Sequence, residues 1–227
     1  MNEFMKLFEK NRLVLIMSLP ANDPALCHAA FEEGADVVKV HINVEHRASG
    51  THFRRLEQEG QALRQMLSEA KGPIGLVPGA SLEVIRLDVE EASRMGFSFF
   101  STYIHHMPVL ETPVPQAWMA ACDGSYDLSE IKAVQRIGAQ VLEASVMPGA
   151  EYGQPLSMRD VMRYSLIAEQ TDLPMVVPTQ RFIRPQELAV LADVGMRGIM
   201  IGAVVTGRTE DSIRRGVAAF RNAIDRM

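Results

Sequence analysis

Cysteine is scarce: Cys27 and Cys122 are the two in a chain of 227 residues. Neither has a partner at Cys-x-x-Cys spacing, which excludes a disulfide scaffold and a cysteine-built zinc site. Buried thiols in a reducing cytoplasm are the reading that remains. Basic runs are missing too, and the net charge of −5 excludes an extended phosphate-binding surface for nucleic acid. No apolar run approaches the roughly 20 residues that span a bilayer. The opening MNEFMKLFEKNR mixes charge with apolar residues and has no signal-peptide core. A cytoplasmic protein that touches neither membrane nor nucleic acid is expected. No Gly-x-Gly-x-x-Gly follows the first apolar run, which argues against a dinucleotide site, and no cofactor is expected.

What is present is 47% hydrophobic residues, broken into short runs. Eight of these read as strands: Leu13 to Ser18, Asp36 to Asn43, Pro73 to Val77, Phe97 to Ile104, Ala117 to Cys122, Gln140 to Val146, Met175 to Pro178 and Gly198 to Ile201. The fifth also fits a helical turn. Helices read between them. A lead-in helix covers Phe4 to Lys10. Asn22 or Asp23 caps a second, with Pro24 at its first position, running to Gly34. Others run from about His52 to Ala70, from the Ser81 cap to Met95, from Ser129 to Gly138, from Ser157 to Thr171, from Gln186 to Val194 and from Thr209 to Met227. Val44 to Gly50 reads as a polar loop. Met107 to Gln116 carries Pro108, Pro113 and Pro115, so it reads as a loop in place of the fourth helix. It is expected to cover the barrel mouth or to meet another subunit, with Val109, Leu110 and Val114 buried.

Four helices end in glycine just before a strand, at Gly34, Gly96, Gly138 and Gly195, each a left-handed cap. The C-terminal stretch Leu173 to Gly207 reads as a complete strand–helix–strand unit whose strands are apolar on both faces, the mark of a parallel pair. Strand then helix, about eight times over, predicts a (β/α)8 TIM barrel occupying 1–227 as a single domain. An open doubly wound sheet is the rival arrangement.

Barrel active sites lie at the C-terminal ends of the strands. On the second strand Lys39, His41 and Asn43 alternate with Val38, Val40 and Ile42. The aliphatic set faces the helices, so the polar set points inward. A lysine there needs a partner or a task. Glu143 on the sixth strand also points inward, with Ser145 nearer the mouth, so an ion pair across the barrel is expected. It serves either catalysis or structure. Ser18 ends the first strand, where it contacts ligand or caps a turn. Tyr103 ends the fourth strand, and His105 and His106 follow. Adjacent histidines point apart on an extended chain, so no metal site is expected. Asp123 is an acid–base candidate or a turn residue. Arg181 and Arg184 follow the seventh strand as anion-binding or surface residues.

The segment Gln135 to Gly207 resembles the ribulose-phosphate-binding barrels, and among them the N-acetylmannosamine-6-phosphate 2-epimerases. The family motif QRLGADIIGTTMSGY is similar to QRIGAQVLEASVMPGAEY here. Its Glu-Gly-Arg turn falls on Thr179-Gln180-Arg181 and its VGSAIT on IGAVVT, Ile201 to Thr206. The resemblance implies a phosphorylated, sugar-like ligand and carries over Arg181 and Gly202 as ligand-binding positions; backbone N–H groups at Gly202-Ala203 are expected to hold its phosphate. It does not carry the epimerase residues: the family lysine position is Gly79, the family glutamate is Thr179, and the phosphate-loop serine is Ala203.

The expectation is an enzyme acting on a small phosphorylated or anionic carbonyl compound by epimerase- or isomerase-type proton transfer. Lys39, Glu143 and His41 would be catalytic, and Ser18, Asn43, Tyr103, Asp123, Arg181, Gly202 and Ala203 would bind substrate. A Schiff-base aldolase or lyase using Lys39 and a non-catalytic metabolite-binding barrel are the alternatives. Assembly as a homo-oligomer is expected.

Overall fold

The chain closes eight parallel strands into a barrel. The computed structural model describes residues 2–10, 12–110 and 113–227. The barrel strands are β1 (Val14–Ser18), β2 (Val37–His41), β5 (Ile74–Val77), β6 (Phe99–Tyr103), β7 (Ala117–Cys122), β8 (Val141–Ala144), β9 (Met175–Pro178) and β10 (Met196–Ile201). Their order around the barrel follows the sequence, and β1 pairs with both β2 and β10 to seal it. A separate two-stranded hairpin, β3 (Val44–His46) and β4 (Thr51–Phe53), stands above the end of β2.

Helices cover the outer wall: α2 (Pro24–Glu32), α3 (Leu56–Glu69), α4 (Leu82–Arg94), α5 (Leu128–Ala133), α6 (Met158–Ala168), α7 (Leu188–Asp193), the short α8 (Ala203–Thr206) and α9 (Glu210–Ile224). Side-chain caps start α2, α4, α5, α6 and α9, supplying acceptors to their orphan amides. Asp23, not Asn22, caps α2 by accepting from the Ala25 amide. Asn22 instead clasps the His41 backbone. The cap of α5 is Asp127, two residues before the expected Ser129, because Asp127 and Glu130 form a reciprocal capping box. No α-helix joins β6 to β7 among the described residues; a 3-10 turn at Ile104–His106 is followed by irregular chain at 107–110 and 113–116. In that loop Leu110 and Val114 pack on the core, but Val109 is 90% exposed. Its expected burial therefore does not occur within the chain. Residues 111 and 112 lie outside the described residues.

Alternation along the strands sorts the core into two parts. Val38, Val40, Ile42, Leu142 and Ala144 face the helices. Val14, Ile16, Val37, Phe99, Met119, Val141, Val176 and Met200 fill the barrel interior. The N-terminal helix α1 (Glu3–Leu7) plugs the lower end. Phe4 stacks on Phe99 with ring centroids 3.9 Å apart, and Phe8 meets Phe4 edge-on at 5.3 Å. Gly75 makes this possible, since a Cβ there would lie inside the Phe99 ring. Among the described residues no helix is long and apolar enough to cross a membrane.

Candidate active site

The upper end of the barrel opens into a cavity of about 690 Å³. Its base is polar. Lys39 and Glu143, each 5% exposed, meet with Nζ 3.2 Å from Oε2. Strand alternation carries both inward, and register sets Lys39 between Ser18 and Gly75 of the neighbouring strands. Ser101 donates to Oε2 at 2.8 Å and Ser145 to Oε1 at 2.7 Å. Burial by itself would raise the Glu143 carboxyl. Lys39 and the two serine hydroxyls outweigh it and hold the group below the ordinary carboxylate value. The carboxylate is thus ionised with three donors, whereas the ammonium makes one hydrogen bond among the described residues.

Two histidines flank the pair. His41 is 2% exposed and its ring lies 4.4 Å from His46 and 4.7 Å from Phe53. Burial first, then His46 and Lys39, push His41 far below its ordinary value, so it is neutral. Its Nδ1 is buried without a partner. Burial and Lys39 likewise lower His46 to about 4, against a smaller opposing effect of Glu143. Sequence reading missed His46 because its position depends on the hairpin, which looks like a polar loop; the alternation of Val44 and His46, with Phe53 across the turn, was the available signal. Tyr103 also lines the cavity, and burial, then Tyr152 and Glu143, raise its phenol, which stays a neutral donor. Asp123 sits at the rim. Burial raises its carboxyl, but Ser125 donates from both hydroxyl and amide, and the net shift is downward.

Ser18, Lys39, His41, Tyr103, Asp123, Glu143 and Gly202 all line this one cavity. Three expected site residues do not. Asn43 lies past the end of β2, where φ of +56° breaks the alternation. Its amide turns to the Pro78 carbonyl and to buried Asp88 at 2.8 Å. Arg181 is buried, with its guanidinium on Asp160 at 3.0 Å and on the Glu151 carboxylate. It ties the start of α6 to the end of β9 and is not free for an anion. Ala203 begins α8 outside the cavity lining. The Gly202 amide, expected to hold phosphate, donates to Thr179 Oγ1 at 3.2 Å. Arg47 and Arg163 are the cavity's arginines instead, and the sequence did not single them out.

Cys27 and Cys122 are buried and free, and burial pushes both thiols up to about 12, away from nucleophilic use. Among the described residues no three His, Cys, Asp or Glu side chains stand close enough to hold a metal ion.

A closed parallel barrel with a polar cavity over its strand ends defines the TIM-barrel class. Solved structures agree over nearly the whole chain. A thiamine phosphate pyrophosphorylase from Pyrococcus furiosus superposes with a TM-score of 0.64 at 18% identity, covering 95% of this chain and 97% of that one. Tryptophan synthase from Mycobacterium tuberculosis gives 0.72 at 15% identity, covering 96% of each. A protein described as native KDPGal gives 0.65 at 20% identity, covering 96% of this chain and 97% of that one. At these identities the likeness establishes the barrel fold. No protein-family model matches the sequence, and no curated protein matches it significantly.

Proposed function

We propose that this barrel is an enzyme acting on a small anionic carbonyl compound, and that the Lys39 amine forms an imine with the substrate carbonyl. The observation that carries the reading is the unequal bonding of the buried pair. Glu143 has its oxygens occupied by Lys39, Ser101 and Ser145, while Lys39 has one hydrogen bond and borders open space. The amine is therefore the reactive partner and Glu143 the group that orients it.

Lys39 releases its ammonium proton to solvent in the open cavity, and the free amine nitrogen attacks the carbonyl carbon. The new C–N bond gives a carbinolamine as a proton of the amine moves to the former carbonyl oxygen; a further proton from solvent lets that oxygen leave as water, and a cationic imine remains beside ionised Glu143. Tyr103, a neutral phenol lining the same cavity, would donate a hydrogen bond to that oxygen, with His41 a neutral neighbour for the departing water. The imine acidifies the adjacent carbon, which supports proton transfer of the isomerase or epimerase type. Cleavage of a carbon–carbon bond at the same position is the second reading, favoured by the same amine. Arg47 and Arg163 replace Arg181 as the residues that meet the substrate's anionic group, whether carboxylate or phosphate.

Borohydride reduction in the presence of pyruvate or dihydroxyacetone phosphate, followed by peptide mass spectrometry, tests the proposal. A reduced adduct is expected on Lys39 and is lost in Lys39→Met. Adducts confined to the exposed lysines, or equal labelling of the variant, would reject it.

A further inference from the structure

The hairpin above β2 holds a directed chain of hydrogen bonds. The Pro20 carbonyl can only accept. Thr51 Oγ1 lies 2.7 Å from it, so the single Thr51 hydroxyl proton is committed there. Ser49 Oγ lies 3.0 Å from Thr51 Oγ1 and must therefore be the donor between them. Ser49 Oγ is also 2.7 Å from His46 Nδ1. With its own proton already given to Thr51, Ser49 accepts there, and His46 carries its proton on Nδ1. Ser49 is fully buried, which keeps water from substituting in the chain. His46 Nε2 is then an unprotonated lone pair. It has no protein partner among the described residues, yet it is not sealed off, and His46 lines the cavity.

We propose that His46 Nε2 is the base that removes the proton from the carbon next to the Lys39 imine. The proposal rests on the imine reading and deepens it. The carbon–hydrogen bond breaks and its proton goes to Nε2. The electron pair becomes the carbon–carbon double bond, and the imine π electrons settle on nitrogen as a neutral enamine. No outside oxidant or reductant is involved. The charges also cooperate. Lys39 is one of the groups that keep His46 neutral before reaction. Enamine formation discharges that nitrogen as the imidazole takes its proton, so one positive charge moves across the cavity and the total beside Glu143 is unchanged. His41 lacks a comparable anchor, since its Nδ1 has no partner. It packs against the His46 ring and limits its rotation. Ser49 and Thr51 are positioning residues.

Two measurements test this. Long-range nitrogen–proton NMR of the imidazole should find His46 protonated on Nδ1, with the preference weakened in Ser49→Ala. A ring protonated on Nε2 would overturn the proposal whatever Lys39 does. The second measurement is exchange of the methyl protons of pyruvate with deuterated water. His46→Gln should keep the borohydride adduct on Lys39 while exchange falls by roughly 10²–10⁴-fold, the range for loss of a general base. Exchange at the parental rate with the adduct intact would overturn the His46 assignment alone. If the parent protein forms no adduct, the imine reading falls and this one with it, and the two failures are distinguishable.

Discussion

The two ends of this barrel are built from opposite materials on the same strands. Below, Phe4, Phe8, Phe99 and the aliphatic interior form an apolar plug. Above, one turn of the strand pleat further on, Ser18, Lys39, Ser101, Glu143 and Ser145 replace them. β8 shows the change in two inward positions, Val141 then Glu143. The apolar plug and the polar site are thereby separated along the barrel axis. Damage to the lower end is expected to spare the site, and changes at the site are expected to spare the lower end.

The largest expected effect lies at the mouth. Lys39→Met keeps the side-chain volume and removes the amine, and turnover should fall by about 10³-fold or more, as for loss of a covalent catalyst. Steady-state assay of the folded variant decides this, and parental turnover would make the pair structural. The mirror change is Phe4→Ala below. It should lower unfolding free energy by about 3–5 kcal/mol, read by urea denaturation, while the borohydride adduct on Lys39 still forms. Loss of the adduct in the folded variant would show that the two ends are coupled.

Arg181→Met probes a residue between these extremes. It leaves buried Asp160 without its guanidinium partner, and the expected destabilisation is about 3 kcal/mol. Binding of an anionic substrate analogue, measured by calorimetry, should be unchanged, because Arg181 is turned away from the cavity. The last effect is one of pH. The folded state holds His46 neutral down to about 4, whereas the unfolded chain protonates it near 6.5. Stability is therefore retained above 6.5 and declines as pH falls from there toward 4, by up to about 1.4 kcal/mol per unit. His41 acts in the same direction. Denaturation midpoints at pH 7 and 5 should show a smaller decline in His46→Gln than in the parent.

The strands and the helix ends that feed them were legible in the sequence, because alternation and glycine caps are local signals; the docking of the lead-in helix on Phe99 was not, because it joins residues 95 apart. The same alternation led to the Lys39–Glu143 pair, since each residue lies within a regular strand. The errors begin where strands stop. Asn43 follows β2 by two residues, and a positive φ turns it out of the pattern. Arg181 looked free because its partners, Glu151 and Asp160, lie 30 and 21 residues earlier. His46 was hidden for a similar reason: Ser49 and Thr51 are close in sequence, but the acceptor that orients them is Pro20, on another loop. Contacts made across loops leave no periodic trace.

The plug that seals the lower end also constrains the order in which the molecule can assemble. Phe8 receives a hydrogen bond from Arg197, 189 residues away, and Val14 pairs with Gly198. Phe4 has no lasting place until β6 brings Phe99, and the ring of strands has no closed interior until β10 arrives. Contacts of such long range carry a loop-closure entropy that slows their formation. The segment nearest the N-terminus is therefore expected to dock late, after the strands it caps have gathered.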